Sequence, residues 1–350
     1  MTRNMTTNMT RNMTRNMTRK LLAALLLTVS LGSLGTACAN TGSTDDSAAG
    51  KPAGGSGSGV TLRVGDQKAG VQAVLKAAGL LDGTPYAITW SQFTSGPPLL
   101  EAVNAGAIDI GGVGNTPPVF AAAAGSKITV VAAYQQNPTA LSIVVPEGSA
   151  ITSPAQFKGK KIAVAKGSAS HYHLLAVLKK EGLSFKDIQP QYLQPADALA
   201  AFTSGTVDAW AIWDPFAAQV KIQNKAKPVV DGNGYVSGLS FEVASPAAVT
   251  GKETAIRDFL TRLAKARTWA ASHQAEWAKV WAQETGLPAD VANAAVVNSV
   301  ATPIAIDDSV VTSQQEITDA FTAEGLIPGS VKFSGFVDNR FNDVVGKAQQ

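Results

Sequence analysis

The sequence predicts an α/β protein of two similar lobes, because one helix-and-strand unit occurs twice. Residues 73–80 (AVLKAAGL) recur as 176–183 (AVLKKEGL), and residues 100–109 match 199–208 in spacing. In the second pair a helical pattern ends at a glycine and leads into a buried strand with an aspartate. The unit recurs after about a hundred residues, whereas solenoid repeats recur every ~20 to 50. Two lobes with a cleft between them are therefore expected.

Strand and helix patterns alternate through the first part of the chain. Short β-branched and apolar runs mark the strands, and glycines or caps mark the helix ends. The predicted order is strand 60–65, helix 69–79, strand 87–93, helix 98–105, strand 108–112, an alanine-rich helix opened by residues 115–118, and strands 127–133 and 141–145. The last strand is expected to lead across to the second lobe.

The second lobe is expected to start near Ser153-Pro154, a capping residue followed by a proline. Its predicted elements are strand 161–165, helices 169–181 and 196–204, and strand 207–212, with a return crossing at 239–244. The rest of the chain is predicted to be nearly all helical. The predicted lobes are therefore 60–145 with 245–350, and 146–244.

Aromatic residues in the C-terminal helices have two interpretations. Trp277 and Trp281 are four residues apart, and apolar residues recur at helical spacing between 256 and 263. Such aromatics could line a binding box, but a stripe at this spacing is more typical of a core. We therefore assign these helices to the core of the first lobe.

Residues 1–37 are predicted to be an export signal. Residues 1–16 repeat Met-Thr-Arg-Asn with variations, and Met17 is the favoured true start because residues 17–20 already form a basic flank. The apolar run 21–34 is shorter than the roughly 17 to 25 residues that a spanning helix needs. The run ends in small residues, as cleaved signals do.

Cys38 is the only cysteine of the chain, so no internal disulfide is expected. Its position after Thr36-Ala37 resembles the bacterial lipobox, although Gly35 stands where a large aliphatic residue is usual. Lipidation at Cys38 is therefore predicted. Residues 38–59 are rich in Gly, Ser and Asp, which favours a flexible tether that holds the body off a membrane.

Charge and motifs exclude several classes of function. The net charge of the whole chain is +3, but removal of residues 1–37 leaves 24 basic and 26 acidic residues, a net charge of −2, and no nucleic-acid partner is expected. The sequence has no phosphate loop, nucleophile elbow or zinc-protease helix. His171 and His173 diverge on a helix, so neither a metal site nor a cofactor is expected.

Four strand-to-helix junctions are predicted to face the cleft, because ligands bind beyond the carboxyl ends of parallel strands. These junctions are residues 65–68, 114–117, 166–171 and 213–215. They are rich in neutral donors, and each helix N-terminus contributes about 0.3 to 2 kcal/mol to binding a negative group. The sequence therefore predicts an anion site that needs no arginine.

Four motifs carry a family resemblance: Gly96-Pro97-Pro98-Leu99-Leu100-Glu101-Ala102, Gly114-Asn115-Thr116-Pro117-Pro118, Lys166-Gly167-Ser168 with His171-Tyr172, and Val207 to Pro215 (VDAWAIWDP). They closely resemble the periplasmic aliphatic-sulfonate-binding proteins of ABC importers. The resemblance covers residues 60–246 and extends more loosely to the C-terminus. It implies a type II periplasmic-binding-protein fold, a monomer, capture of an organosulfonate in the cleft, and delivery to an ABC permease with its ATPase.

Seven ligand-facing positions follow from the resemblance: Gln67, Asn115, Thr116, Ser168, His171, Trp213 and Asp214. Two residues depart from the family pattern. Asp66 stands where tyrosine is common, and Asn115 stands where aspartate is frequent. No residue is assigned a catalytic role.

Each position has a purely structural alternative. Asn115 or Thr116 could simply cap the next helix, and Asp214 before Pro215 is favoured as a cap over a ligand contact. His171 could only shape the start of its helix. Trp213 is preferred to Trp210, because the two alternate across a strand and Trp213 is nearer its end.

The ligand class has alternatives as well. A sulfonate offers only acceptors, so amides and hydroxyls satisfy it fully, whereas phosphate would want an acceptor. Asp66, Asp214 or Glu242 could provide that acceptor or hold the amine of taurine, and nitrate or another small anion also stays open. A desulfinase-like enzyme is the alternative from another class, but the only thiol lies in the leader and no activated nucleophile is evident.

Overall fold

The computed structural model describes residues 59–329 and 331–348; the predicted signal, Cys38 and nearly all of the tether lie outside them. The described strands are β1 (Thr61–Gln67), β2 (Ala87–Phe93), β3 (Ile110–Gly114), β4 (Thr129–Gln136), β5 (Leu141–Val145), β6 (Lys161–Val164), β7 (Gln189–Tyr192), β8 (Ala209–Trp213), β9 (Lys227–Asp231), β10 (Leu239–Ala244) and β11 (Ala301–Ile304). They form two sheets, ordered β11-β4-β10-β3-β1-β2 and β7-β6-β8-β5-β9. The predicted α/β architecture with two sheets is confirmed.

Helices flank both sheets. They are α1 (Val71–Ala77), α2 (Gly96–Asn104), α3 (Thr116–Ala123), α4 (Ala169–Lys180), α5 (Pro195–Thr203), α6 (Phe216–Gln223), α7 (Pro246–Gly251), α8 (Glu253–Ser272), α9 (Gln274–Thr285), α10 (Ala289–Ser299), α11 (Asp308–Ala323) and α12 (Asp343–Ala348). The described part of the chain contains no helix with the length and apolar character to cross a membrane.

The repeated unit has the same role in each sheet. Asp109 Oδ2 accepts a hydrogen bond from Arg63 N at 2.7 Å, and Asp208 Oδ2 accepts one from Lys161 N at 2.7 Å. Each aspartate thus ties the start of one strand to the parallel strand beside it. The preceding glycines, Gly106 and Gly205, have φ of 72° and 71°, which only glycine adopts without strain. The duplication therefore encodes strand pairing.

Each of the two crossing strands, β5 and β10, pairs in the sheet opposite to the one that the predicted lobe boundaries imply. β5 pairs with β8 and β9 in the second sheet, and β10 pairs with β3 and β4 in the first. The chain therefore changes sheet before each of these strands, first through the turn Pro138–Ala140. In each lobe, an antiparallel strand from beyond the change completes a sheet that is otherwise mainly parallel.

The C-terminal helices close the core over the first sheet. α8 and α9 pack on α1, and Trp277 and Trp281 are buried in the cluster that contains Leu62 and Val64. The Nε1 of Trp281 donates to the carbonyl oxygen of Ala69. The predicted core role of the two tryptophans is correct, and both also form part of the wall described next.

Candidate functional site

A cavity of about 180 Å³ lies where the carboxyl ends of strands from both sheets meet. It is lined by residues from all four predicted junctions, after β1, β3, β6 and β8. Five predicted site residues line it: Gln67, Asn115, Ser168, Trp213 and Asp214. Thr116 and His171 are fully buried outside its wall.

The two donor loops come from different sheets and touch each other. A Cβ placed on Gly114 would lie 2.9 Å from the Cβ of Ala169, so only glycine allows this approach. We call the part of the cavity lined by Gly114, Asn115, Ser168 and Ala169 the loop end. Because one loop follows β3 and the other follows β6, a ligand there contacts both sheets.

The Asn115 amide is oriented by its neighbour. Thr116 Oγ1 donates to Asn115 Oδ1 at 2.9 Å, which leaves the two Nδ2 protons available to the cavity. The side chain of Asn115 makes no capping hydrogen bond to α3, because the second and third residues of this helix are prolines without N–H groups. Asn115 therefore presents donors rather than closing its helix, and Thr116 acts by holding it.

Ser168 lies at the N-cap of α4. Its Oγ accepts from His171 N at 3.3 Å, which leaves the hydroxyl proton free to donate. The N–H groups of Ala169 and Ser170, in the first turn, have no partner within the helix. This helix end can therefore bind an anion.

His171 supports the helix start from behind. Its Nδ1 accepts from Gly167 N at 3.1 Å, and its ring contacts Phe120, Phe185 and Phe321. Burial lowers the pKa of His171 to about 3, so the ring is neutral. Its backbone N–H donates to the Ser168 cap, while its ring is fully buried in this aromatic cluster and does not line the cavity.

The carboxylates of Asp66 and Asp214 are already hydrogen-bonded within the protein. Asp66 accepts from Val71 N at 2.8 Å and Gln72 N at 3.0 Å, so it occupies the N-terminus of α1. Asp214 accepts from Ala218 N at 2.9 Å and from Asn298 Nδ2 at 3.0 Å, as its predicted capping role requires. Burial raises the pKa of both carboxyls.

The remaining predicted residues, Gln67 and Trp213, contribute to the sides of the cavity. Gln67 Nε2 donates to the carbonyl oxygen of Gly112 at 2.9 Å, which fixes the side chain against β3. Trp213 is partly exposed and stacks edge-on against Phe216, whereas Trp210 is fully buried. The alternation of the strand therefore selects Trp213 for the cavity.

Two cationic residues also line the cavity, Lys68 within the first predicted junction and Arg267 outside all four. Lys68 and Arg267 bring positive charge to its wall, so the expectation of neutral donors alone was incomplete. Partial burial lowers the pKa of Lys68. Arg267 lies on the buried stripe of α8, four residues after Leu263, and a charge on an apolar stripe is the sequence signal that could have revealed it.

Glu242 is the most unusual ionisable group of the wall. It lies in β10, every residue of which is buried, and only 1% of its surface is exposed. Burial raises its pKa to about 8; nearby Arg267 opposes this effect and Asp66 adds to it. The described residues contain no cluster of three or more His, Cys, Asp or Glu that could hold a metal ion.

The chain is similar to several known proteins. A family model described as NMT1/THI5 like matches residues 95–277. Two relatives are named "Putative aliphatic sulfonates-binding protein". That of Escherichia coli (strain K12) is 38% identical, and the match covers 77% of this chain and 86% of the relative. That of Bacillus subtilis (strain 168) is 31% identical, and the match covers 73% of this chain and 77% of the relative. The solved alkanesulfonate-binding protein SsuA from Xanthomonas axonopodis pv. citri, bound to MOPS, has a TM-score of 0.75 and 39% identity, covering 79% of this chain and 98% of that one.

Proposed function

The chain belongs to the NMT1/THI5-like family, and from this premise we propose that it is the solute-binding protein of an ABC importer. It captures an aliphatic sulfonate in the cavity and delivers it to a permease with its ATPase. The observation that carries the proposal is the loop end, where Asn115 and Ser168, one from each sheet, present free donors to one space. The names of the relatives support the same ligand class.

The chemistry of the loop end suits a sulfonate. A sulfonate is permanently ionised and has three oxygens that only accept hydrogen bonds. The amide of Asn115, the hydroxyl of Ser168 and the N–H groups at the start of α4 only need to donate. No acceptor is required there, and the carboxylates of Asp66 and Asp214 have partners of their own.

The proposal predicts that Ser168→Ala weakens binding of propanesulfonate about tenfold or more, because a hydrogen bond to a charged group is worth about 1.5 to 3 kcal/mol. Ser245→Ala is the matched control, since Ser245 also caps a helix, accepting from Ala248 N at 3.2 Å, but lies outside the cavity wall. Calorimetry measures both. Unchanged affinity in Ser168→Ala would place the head group elsewhere.

Binding rather than catalysis is part of the proposal. The one thiol of the chain, Cys38, precedes the described residues, and the cavity presents no hydroxyl held by a general base. Incubation of the pure protein with alkyl sulfonates should release no sulfite. Steady sulfite production that requires the intact cavity would overturn this part of the proposal.

Export and anchoring are proposed from the leader. Residues 1–37 direct export, and lipidation of Cys38 holds the protein at the outer face of the cell membrane. Cys38→Ser should move the protein from the membrane fraction to the soluble fraction. A variant that still needs detergent would argue against a lipid anchor.

A further inference from the structure

Four residues of the cavity wall carry buried polar atoms that lack partners. Among the described residues, Ser240 Oγ, Glu242 Oε2, Arg267 Nε and Trp277 Nε1 make no hydrogen bond. All four residues line the cavity, and none is more than 9% exposed. We call these four residues the inner wall. Buried polar atoms are nearly always paired, so four unpaired atoms on the residues of one cavity wall favour a polar ligand group there.

Strand register places Glu242, the carboxylate of the inner wall, deeper than the loop end. Ser240 pairs with Gly114, whereas Glu242 pairs with Gly112, two residues further from the end of β3. At about 3.4 Å per residue, Glu242 lies roughly 7 Å below the level of the donor loops. The lack of a side chain at Gly112 leaves space beside Glu242, because a Cβ there would lie 2.8 Å from Glu242 Oε1.

The neighbours of Glu242 leave one oxygen for a ligand. Asp66, on β1, is engaged by the amides of α1, and the Arg267 guanidinium, on α8, lies over the ring of Tyr134 at 5.6 Å. Neither of them donates a hydrogen bond to Glu242 Oε2. A donor on a ligand would satisfy that oxygen, and a group that also accepts would satisfy the indole N–H of Trp277.

We propose that the inner wall is a second subsite, which selects sulfonates whose tail ends in a hydrogen-bond donor, a hydroxyl or an ammonium, directed at Glu242. This inference rests on the proposed function, because the loop end must hold the sulfonate. The distance between the two parts suits a tail of about two or three carbons. A plain alkyl tail would leave these buried polar atoms without partners, whereas a terminal donor would pair with one of them.

Three ligands with the same three-carbon chain test the subsite: propanesulfonate, and the same molecule with a hydroxyl or an amine at its far end. Calorimetry should show that at least one substituted ligand binds about tenfold or more tightly than propanesulfonate. Glu242→Leu should abolish the preference. Glu242→Gln, which keeps an acceptor but no charge, should abolish any preference for the amine and serves if the leucine variant does not fold.

Proton release distinguishes the two donors. Glu242 is mostly protonated at pH 7 because burial raises its pKa to about 8, and an ammonium beside it would favour the ionised form. The charged and titratable groups facing it are Asp66, Arg267 and Tyr134, with Lys68 also in the wall. Binding of the amine should therefore release a proton, seen as a buffer-dependent enthalpy in cacodylate and Tris, whereas the hydroxyl should not.

The outcomes separate this inference from the proposed function. Equal affinity for all three ligands would overturn the inner-wall subsite and leave sulfonate capture intact. That result is expected if water hydrogen-bonds to the polar atoms of the inner wall. A preference that persists in both Glu242 variants would also overturn it. Failure of all three ligands to bind would contradict sulfonate capture itself and the subsite with it.

Discussion

The loop end and the inner wall of the cavity are built in opposite ways. The loop end takes its donors from short local motifs, at the junctions before α3 and α4, and its side chains are neutral. The inner wall takes Glu242 from β10 and Arg267 from α8, which are distant in sequence, and it contains charge. We therefore expect local geometry at helix starts to bind the head group, and side chains that only the fold brings together to bind the tail.

The largest expected effect concerns the charge of the inner wall. Because burial raises the folded-state pKa of Glu242 above its usual value of 4.5, to about 8, its contribution to stability is present below pH 4.5 and is lost as pH rises to about 8. Glu242→Gln removes this loss. Since each pKa unit corresponds to about 1.36 kcal/mol, the variant should gain a few kcal/mol relative to the natural chain between pH 5 and pH 9.

Thermal or urea unfolding of both proteins across this pH range, without ligand, measures the difference. The comparison with the loop end is sharpened by Ser168→Ala, whose stability difference should be nearly independent of pH, because no titrating group is removed. A constant difference for Glu242→Gln would show that Glu242 is ionised and well solvated in the folded protein.

The next effect comes from blocking the path between the two parts of the cavity. In Gly112→Val the new Cβ would lie 2.8 Å from Glu242 Oε1 and 2.9 Å from Val71 Cγ2. Overpacking of about 1 to 3 kcal/mol should weaken propanesulfonate binding by roughly tenfold to a hundredfold. Gly251→Val is the control, since a Cβ there meets nothing within 4 Å. Normal affinity in Gly112→Val would mean that the ligand tail does not pass Gly112.

The smallest predicted effect concerns closure of the two sheets around the loop end. Asn298 Nδ2, in α10, donates to Asp214 Oδ2 at 3.0 Å, and Ser95 Oγ donates to Gln194 Oε1 at 2.8 Å, so both hydrogen bonds join parts that pack on different sheets. Asn298→Ala should favour the open form and weaken binding by about threefold to tenfold, in line with one hydrogen bond of about 0.5 to 1.5 kcal/mol.

Small-angle scattering supplies the readout for this variant. The natural chain should contract when propanesulfonate binds, and Asn298→Ala should need more ligand to reach the same radius of gyration. Trp213, at the side of the cavity, should report the change by its emission, which Trp213→Phe removes. An unchanged radius at saturation would mean that the sheets do not move.

Much of the fold and half of the cavity follow from local sequence patterns. The repeated unit, its glycine stops and the proline-capped helices predict the order of elements, and the four junctions do meet at one cavity. The strands β7, β9 and β11 were not predicted, because they are short edge strands whose residues are largely exposed or include prolines. Local periodicity carries little information for such strands.

The inner wall and the position of His171 depend on tertiary structure. His171 follows a loop motif that suggests ligand contact, but aromatic residues from α3 and α11 surround its ring. Arg267 is the one charged residue on the buried face of α8, and Glu242 is the one charged residue of the buried strand β10. Such a pattern signals a buried polar site without saying where it lies. Only the pairing of β10 with β3 brings Glu242 beside Gly112.

A crystal structure of the protein with propanesulfonate tests the central claim most directly, because the claim is that donors from both sheets hold one sulfonate group. We predict sulfonate oxygens at about 2.7 to 3.2 Å from Asn115 Nδ2, from Ser168 Oγ and from the N–H groups at the start of α4, with the tail directed along Gly112 toward Glu242. A sulfonate bound through Arg267 or Lys68, away from Asn115 and Ser168, would contradict the account.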